Sequence, residues 1–280
     1  MGTRTWRWCS ALTLNALADA LVQNRRDRRG SLLVYLMVDA GRRTALLPLV
    51  RACRRAGVAG IELGFPFSDP IADGPVLQAA ASRALHDGTD WEDLLAALRA
   101  ASRELPTAVM TYANPVFHHG LPKACNDIAR AGGSALIVPD LALEESGPWR
   151  SAAHRAGLSL VQMGSPATSV SRVRALVGAS SGFLYLVSRF GTTGRGRQAP
   201  GHELRSLVSA AHAARPELPV LIGFGVRTAA DLDPVRATGA DGAIVGSAVE
   251  EILSRSTAPD RLERFLRPLV RATYPGAVVR

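Results

Sequence analysis

An α/β fold closed into a single (β/α)8 barrel is what this sequence predicts, and three observations carry the prediction. Short apolar runs alternate with Ala/Arg/Leu-rich helical patterns along the chain, the grammar of βαβ units around a parallel sheet buried on both faces. One junction recurs, as "RAGVAGIEL", "RAGGSALIV", "RAGLSLVQM" and "ATGADGAIV". Each time a helical pattern ends on a glycine suited to a left-handed stop, and a short strand follows. No linker-like stretch divides the 280 residues, a length that suits one barrel of about 250 residues plus an extension.

The elements follow in order. Residues 1–29 predict an exposed N-terminal tail and an amphipathic helix packing on the barrel, and residues 30–280 the barrel itself. The opening segment has arginines and a mildly apolar centre, but Asn15 and Asp19 interrupt that centre. An Arg/Asp cluster then stands where an export signal would have a small-residue cleavage site. Strands are expected at Leu32–Val38, Gly60–Leu63, Ala108–Thr111, Ala135–Val138, Leu158–Met163, Phe183–Val187, Val220–Gly223 and Ala243–Val245. Helical patterns lie between them, among others Thr44–Ala56, Trp91–Ser102 and Glu203–Ala214. Eight such units in one chain fit a closed barrel better than an open sheet.

Composition narrows the class. The chain is 47% hydrophobic, yet no apolar run approaches the roughly 18 to 20 residues a membrane span requires. Cys9, Cys53 and Cys125 are odd in number and widely spaced, which argues against a disulfide framework or zinc site and predicts a reducing, cytoplasmic setting. The neighbouring His118 and His119 are expected in a solvated loop, not around a metal. The net charge of +9 comes from scattered arginines, and aromatics make up 5%. A nucleic-acid surface would concentrate both; scattered cations fit attraction for small anions instead.

In a barrel of this kind the chemistry sits at the carboxyl ends of the strands, and the polar residues gather there. Glu62 ends the second strand, with Asp69 and Asp73 in the Pro/Gly-rich loop after it. Tyr112 and Asn114 follow strand three, and Asp140 follows strand four. Glycines after strands six, seven and eight (Gly191, Gly194, Gly196; Gly223, Gly225; Gly246 with Ser247 at the start of the last helix) offer open N–H groups for an anion such as a phosphate. Glu62 lies among apolar neighbours, so its pKa is expected to rise. Asp73, in a polar loop, is expected to stay ionised, which would let one site run acid and base steps together. Asp69 is expected to stabilise the turn.

Six motifs, in order, carry a resemblance: "GIELGFPFSDPIADGP", "MTYANPVF", "LIVPDLALEE", "YLVSRFGTTG", "GFGVRTAADL" and "GADGAIVGSA". Over about Gly30 to Leu253 the chain resembles the tryptophan synthase alpha chain family. The resemblance implies a lyase that splits indole-3-glycerol phosphate into indole and glyceraldehyde 3-phosphate by a retro-aldol reaction. It implies no cofactor in this chain and a pyridoxal-phosphate beta chain as partner in an alpha2-beta2 complex. Glu62 and Asp73 match the family's catalytic acids. Tyr35, Tyr112, Tyr185 and Thr193 match residues at the substrate. Gly194, Gly225, Gly246 and Ser247 match its phosphate site, and Arg189 lies in its closing loop. Departures fall at "YLMVDAG", Phe65, Ala142, Phe190 and Thr192, several of them on loops that in the family close the site or meet the beta chain. A stand-alone lyase and a non-catalytic barrel that activates a beta chain are the alternatives these departures keep open. A phosphosugar isomerase on the same barrel is opposed by the Glu62–Asp73 loop.

Overall fold

Eight short strands pair in chain order, each parallel to the next, and the last returns to the first. They are β1 (Ser31–Met37), β2 (Gly60–Gly64), β3 (Thr107–Met110), β4 (Ala135–Ile137), β5 (Ser159–Gly164), β6 (Leu184–Val187), β7 (Val220–Gly223) and β8 (Gly242–Val245). The computed structural model describes residues 15–188, 201–223 and 225–273. Around the strands run α1 (Ala16–Arg26), α2 (Arg43–Ala56), α3 (Pro75–His86), α4 (Trp91–Ala101), α5 (Ala113–His119) and α6 (Leu121–Arg130). The second half adds α7 (Ser146–Ala156), α8 (Val170–Ala179), α9 (Gly201–Ala214), α10 (Leu232–Thr238), α11 (Ser247–Arg255) and α12 (Pro259–Ala272).

The repeated junction works as its sequence implies. Gly57, Gly132, Gly157 and Gly239 all have positive φ, between 77° and 96°, a conformation that costs a residue with a Cβ. Each turns the chain out of a helix and into the next strand. Other helix starts are fixed by side chains. In α4, Asp90 and Asp93 cap each other's backbone N–H groups, satisfying donors the first turn leaves open.

Alternation along the strands separates two apolar layers. Outward residues such as Val34, Ile61, Leu63, Val109 and Leu136 pack under the helices. Inward residues, among them Leu33, Ala108, Ile137, Val161, Phe183, Leu221 and Ile244, fill the barrel. Leu17 and Leu21 of α1 join this inner cluster, so α1 plugs the barrel at the ends where its strands begin. Asn15 caps α1 through Ala18 N–H (3.1 Å) and also donates to Ser159 Oγ on β5 (3.0 Å). The tail expected before α1 includes residues outside those described.

Two expectations need correction. Ser247 starts α11, but this is not the last helix, because α12 follows and packs on α2. The histidine pair is not in a solvated loop. It forms the last turn of α5, where His119 stacks on Trp91 (4.3 Å between ring centres) and lies 2.8 Å from Asp127. Apolar burial of one imidazole face, which no short pattern encodes, sets that position.

Candidate active site

The strand ends open into a cavity of about 520 Å³. Glu62 reaches it because Ile61 and Leu63 point outward to the helices and the residue between them must point inward. In register it lies beside Tyr35 of β1 and Ala108 of β3. It is 1% exposed, and its Oε2 has no hydrogen-bond partner.

The loop after β2 brings the second acid to the same cavity. Ser68 Oγ donates to Asp69 (2.5 Å), and Ile71 N–H donates to the Asp69 carbonyl (2.8 Å). Asp69 thus shapes a turn, and Asp73 N–H closes the next one on Pro70 (3.0 Å). Gln78 of α3 donates to the Asp73 carbonyl (2.9 Å). The Asp73 carboxylate accepts from Tyr112 Oη (3.1 Å), which in turn accepts from Ala72 N–H (3.1 Å). Asp73 is 4% exposed, so its surroundings are drier than a polar loop suggested.

Burial pushes the Glu62 carboxyl up to about 8, and the charge of Asp73 adds to the rise. Burial also raises Asp73, to about 6, while the hydrogen bond from Tyr112 holds it down. At neutral pH the pair therefore divides into one protonated and one ionised group. Two facing acids with separated affinities are suited to giving a proton and stabilising a positive charge at once.

Aromatic rings and glycines complete the walls. Tyr35 and Tyr185 both line the cavity, and burial raises both phenols well above their usual range. Gly64 and Gly223 leave room for them: a Cβ at Gly64 would fall 1.9 Å from Tyr35 Oη, and one at Gly223 2.9 Å from the Tyr185 ring. Tyr112 does not form a wall. It stands behind Asp73, against Phe67 at 5.4 Å between ring centres. Gly225, Gly246 and Ser247 also line the cavity, the last two where α11 begins, with Gly246 against Tyr35. Arg189, Thr193 and Gly194 lie outside the described residues. Asp140 is not in the wall either; it caps α5 by accepting from Ala113 N–H (2.9 Å). Among the described residues no cluster of three His, Cys, Asp or Glu side chains is placed to hold a metal ion.

Several residues at the site carry no legible sequence signal. Met110 and Met163 line the cavity from strand positions that read as ordinary core. Ser188 Oγ is buried in the same wall with no hydrogen-bond partner among the described residues. Glu250 of α11 is a buried acid that accepts from Met37 N–H (2.8 Å) and Arg42 (3.1 Å), bracing β1 against α11. Only its place on the apolar side of α11, beside Val249 and Leu253, could have singled it out.

The chain is similar to known proteins over most of its length. The sequence profile described as "Tryptophan synthase alpha chain" matches residues 21–269. A tryptophan synthase alpha chain of Methanosarcina mazei is 40% identical, over 90% of this chain and 92% of its own. One from Chloroflexus aggregans is 38% identical, over 93% and 98%. A tryptophan synthase structure from Mycobacterium tuberculosis superposes with a TM-score of 0.83 at 33% identity, covering 94% of this chain and 99% of that one. A Pyrococcus furiosus structure, described as a tryptophan synthase a2b2 complex, gives 0.77 at 27% identity, over 87% and 98%. Fold, cavity and sequence lead to one conclusion: the chain belongs to the tryptophan synthase alpha chain family.

Proposed function

We propose that Glu62 and Asp73 are the residues with which this chain carries out its family's reaction, the lysis of indole-3-glycerol phosphate to indole and glyceraldehyde 3-phosphate. The observation that supports the assignment best is the pair itself: two buried carboxyls on one cavity, Glu62 raised further by burial and by the charge of Asp73, and Asp73 held down by Tyr112. Protonated Glu62 gives its proton to C3 of the indole ring. The resulting cation spreads onto the ring nitrogen, whose N–H is stabilised by ionised Asp73. Glu62, now a carboxylate, takes the proton from the hydroxyl on the adjacent side-chain carbon. The electrons of the breaking carbon–carbon bond return to the ring, and indole and an aldehyde separate. The proton lost from oxygen replaces the one given to carbon, so the acid ends as it began and no cofactor is called for.

Tyr35 and Tyr185 flank the ring in this arrangement, while Gly225, Gly246 and Ser247 hold the phosphate through N–H and hydroxyl donors at the start of α11. Arg189, Thr193 and Gly194 are assigned to the closing loop and phosphate end by resemblance alone. The partner is a pyridoxal-phosphate beta chain in an alpha2-beta2 assembly, in the cytoplasm. Ile71 of the cavity wall and Phe117 of α5, 70% and 60% exposed, supply apolar contacts for it.

The test is indole release from indole-3-glycerol phosphate by the purified chain, alone and with a beta chain. Glu62→Gln should abolish release and leave phosphate-ligand binding within about twofold, because the amide keeps the shape and loses the proton. Turnover by that variant at the wild-type rate defeats the assignment.

A further inference from the structure

The cavity carries two carboxyl groups, and the substrate assigned above adds a phosphate dianion. Among the described residues, glycine N–H groups and one serine would have to hold that charge unless a cation joins them. Among the described residues of the cavity wall there is one cation, Arg227. It stands two residues after Gly225 and lines the same cavity as Gly225, Gly246 and Ser247.

Its stem and tip are held differently. The N–H groups of Arg227 and Thr228 donate to Asp231 (2.9 and 2.7 Å), fixing the backbone. The guanidinium forks onto Glu251 of α11, Nη1 at 2.7 Å and Nη2 at 2.6 Å. This pair is at the surface, where ion pairs contribute little. A phosphate offers the same two-oxygen geometry with more charge. Glu251 lies one turn along α11 from Ser247. Ser188 Oγ, buried in the same wall with no partner among the described residues, is a second group that a polar ligand would satisfy.

We propose that Arg227 binds the phosphate of the substrate and that Glu251 competes with the phosphate for it. In the empty site the carboxylate keeps the guanidinium ordered and neutralised. When phosphate enters between Gly225 and Ser247, the fork transfers wholly or partly onto its oxygens. The proposal rests on the phosphosubstrate reading above but concerns binding, not cleavage.

The experiment titrates the full chain with glycerol 3-phosphate by calorimetry and measures kcat and KM on indole-3-glycerol phosphate. Arg227→Gln is expected to raise both the Kd and the KM about tenfold, the usual worth of a charge-assisted contact, with kcat within about twofold. Glu251→Gln is expected to lower both about threefold, because the competitor is gone. The double variant should match Arg227→Gln alone. Three results overturn the proposal: no change in Arg227→Gln; weakening in Glu251→Gln, which marks the pair as a brace between the β7 loop and α11; or a gain from Glu251→Gln that persists without Arg227, which marks simple repulsion. A wild-type chain that binds glycerol 3-phosphate but releases no indole defeats the lyase assignment and leaves the role of Arg227 standing.

Discussion

Glu62 and Asp73 differ because the chain surrounds them differently. Glu62 sits on a strand among apolar side chains with one oxygen unpartnered, whereas Asp73 has Tyr112 donating to it. The working form has Glu62 protonated and Asp73 ionised, so kcat/KM should rise as pH passes about 6 and fall as it passes about 8. Those limbs belong to the coupled pair. Tyr112→Phe removes the bond that lowers Asp73, so the acid limb should move to higher pH while the alkaline limb stays. A pH–rate series with both proteins checks this, and an acid limb that moves downward or not at all contradicts it. Stability carries the opposite signature. The folded-state pKa of Glu62 is raised above its unfolded value of 4.5, so its contribution is fully present below pH 4.5 and is lost as pH rises to about 8. Glu62→Gln escapes that loss. Its melting temperature should exceed the wild type's by a margin that grows between pH 5 and 8, measured by calorimetric scans.

Among the elements, α1 depends most on contacts distant in sequence. Leu17 and Leu21 enter the inner cluster of the barrel, and Leu→Ala at either should destabilise the fold by about 2–5 kcal/mol, as core truncations do. The cavity lies at the other end of the strands, so kcat at 25 °C should be unchanged in the molecules that remain folded. Denaturant melts combined with active-site titration separate the two effects. The sequence made the strands legible because buried parallel strands are short apolar runs, and the helix stops legible because glycine is needed at positive φ. Glu62 was legible for the same reason: an acid inside such a run has to face inward or outward, and either is informative. The Pro/Gly loop around Asp73 reads as polar, while the burial of Asp73 comes from Tyr112 and α3 folding over it. Glu250 and Arg227 were missed for a related reason. A helix acid and a loop arginine are ordinary residues until the barrel closes and brings β1 and the β7 loop against α11.

At the scale of the whole molecule, the exposed apolar side chain of Phe117 separates two properties. Phe117 packs an edge on Trp149 (5.0 Å between ring centres) but is otherwise open. Phe117→Asp should leave the melting temperature within about 1–2 °C and the basal indole release unchanged, since most surface substitutions change stability by under about 0.5 kcal/mol. Stimulation of that release by a beta chain should be lost. Retention of full stimulation would move the contact elsewhere on the rim.

The pairing of β1 with β8, Ser31 against Gly242 through Val34 against Val245, has a consequence for biosynthesis. During translation the first strand leaves the ribosome long before its neighbour on that side, with roughly two hundred residues still to be made. For that whole interval its hydrogen-bonding groups lack their final partner, and its apolar side chains lack a finished interior. The nascent chain is therefore sticky until its last quarter emerges, and yields in the cell should respond more to chaperone supply than to any single surface residue.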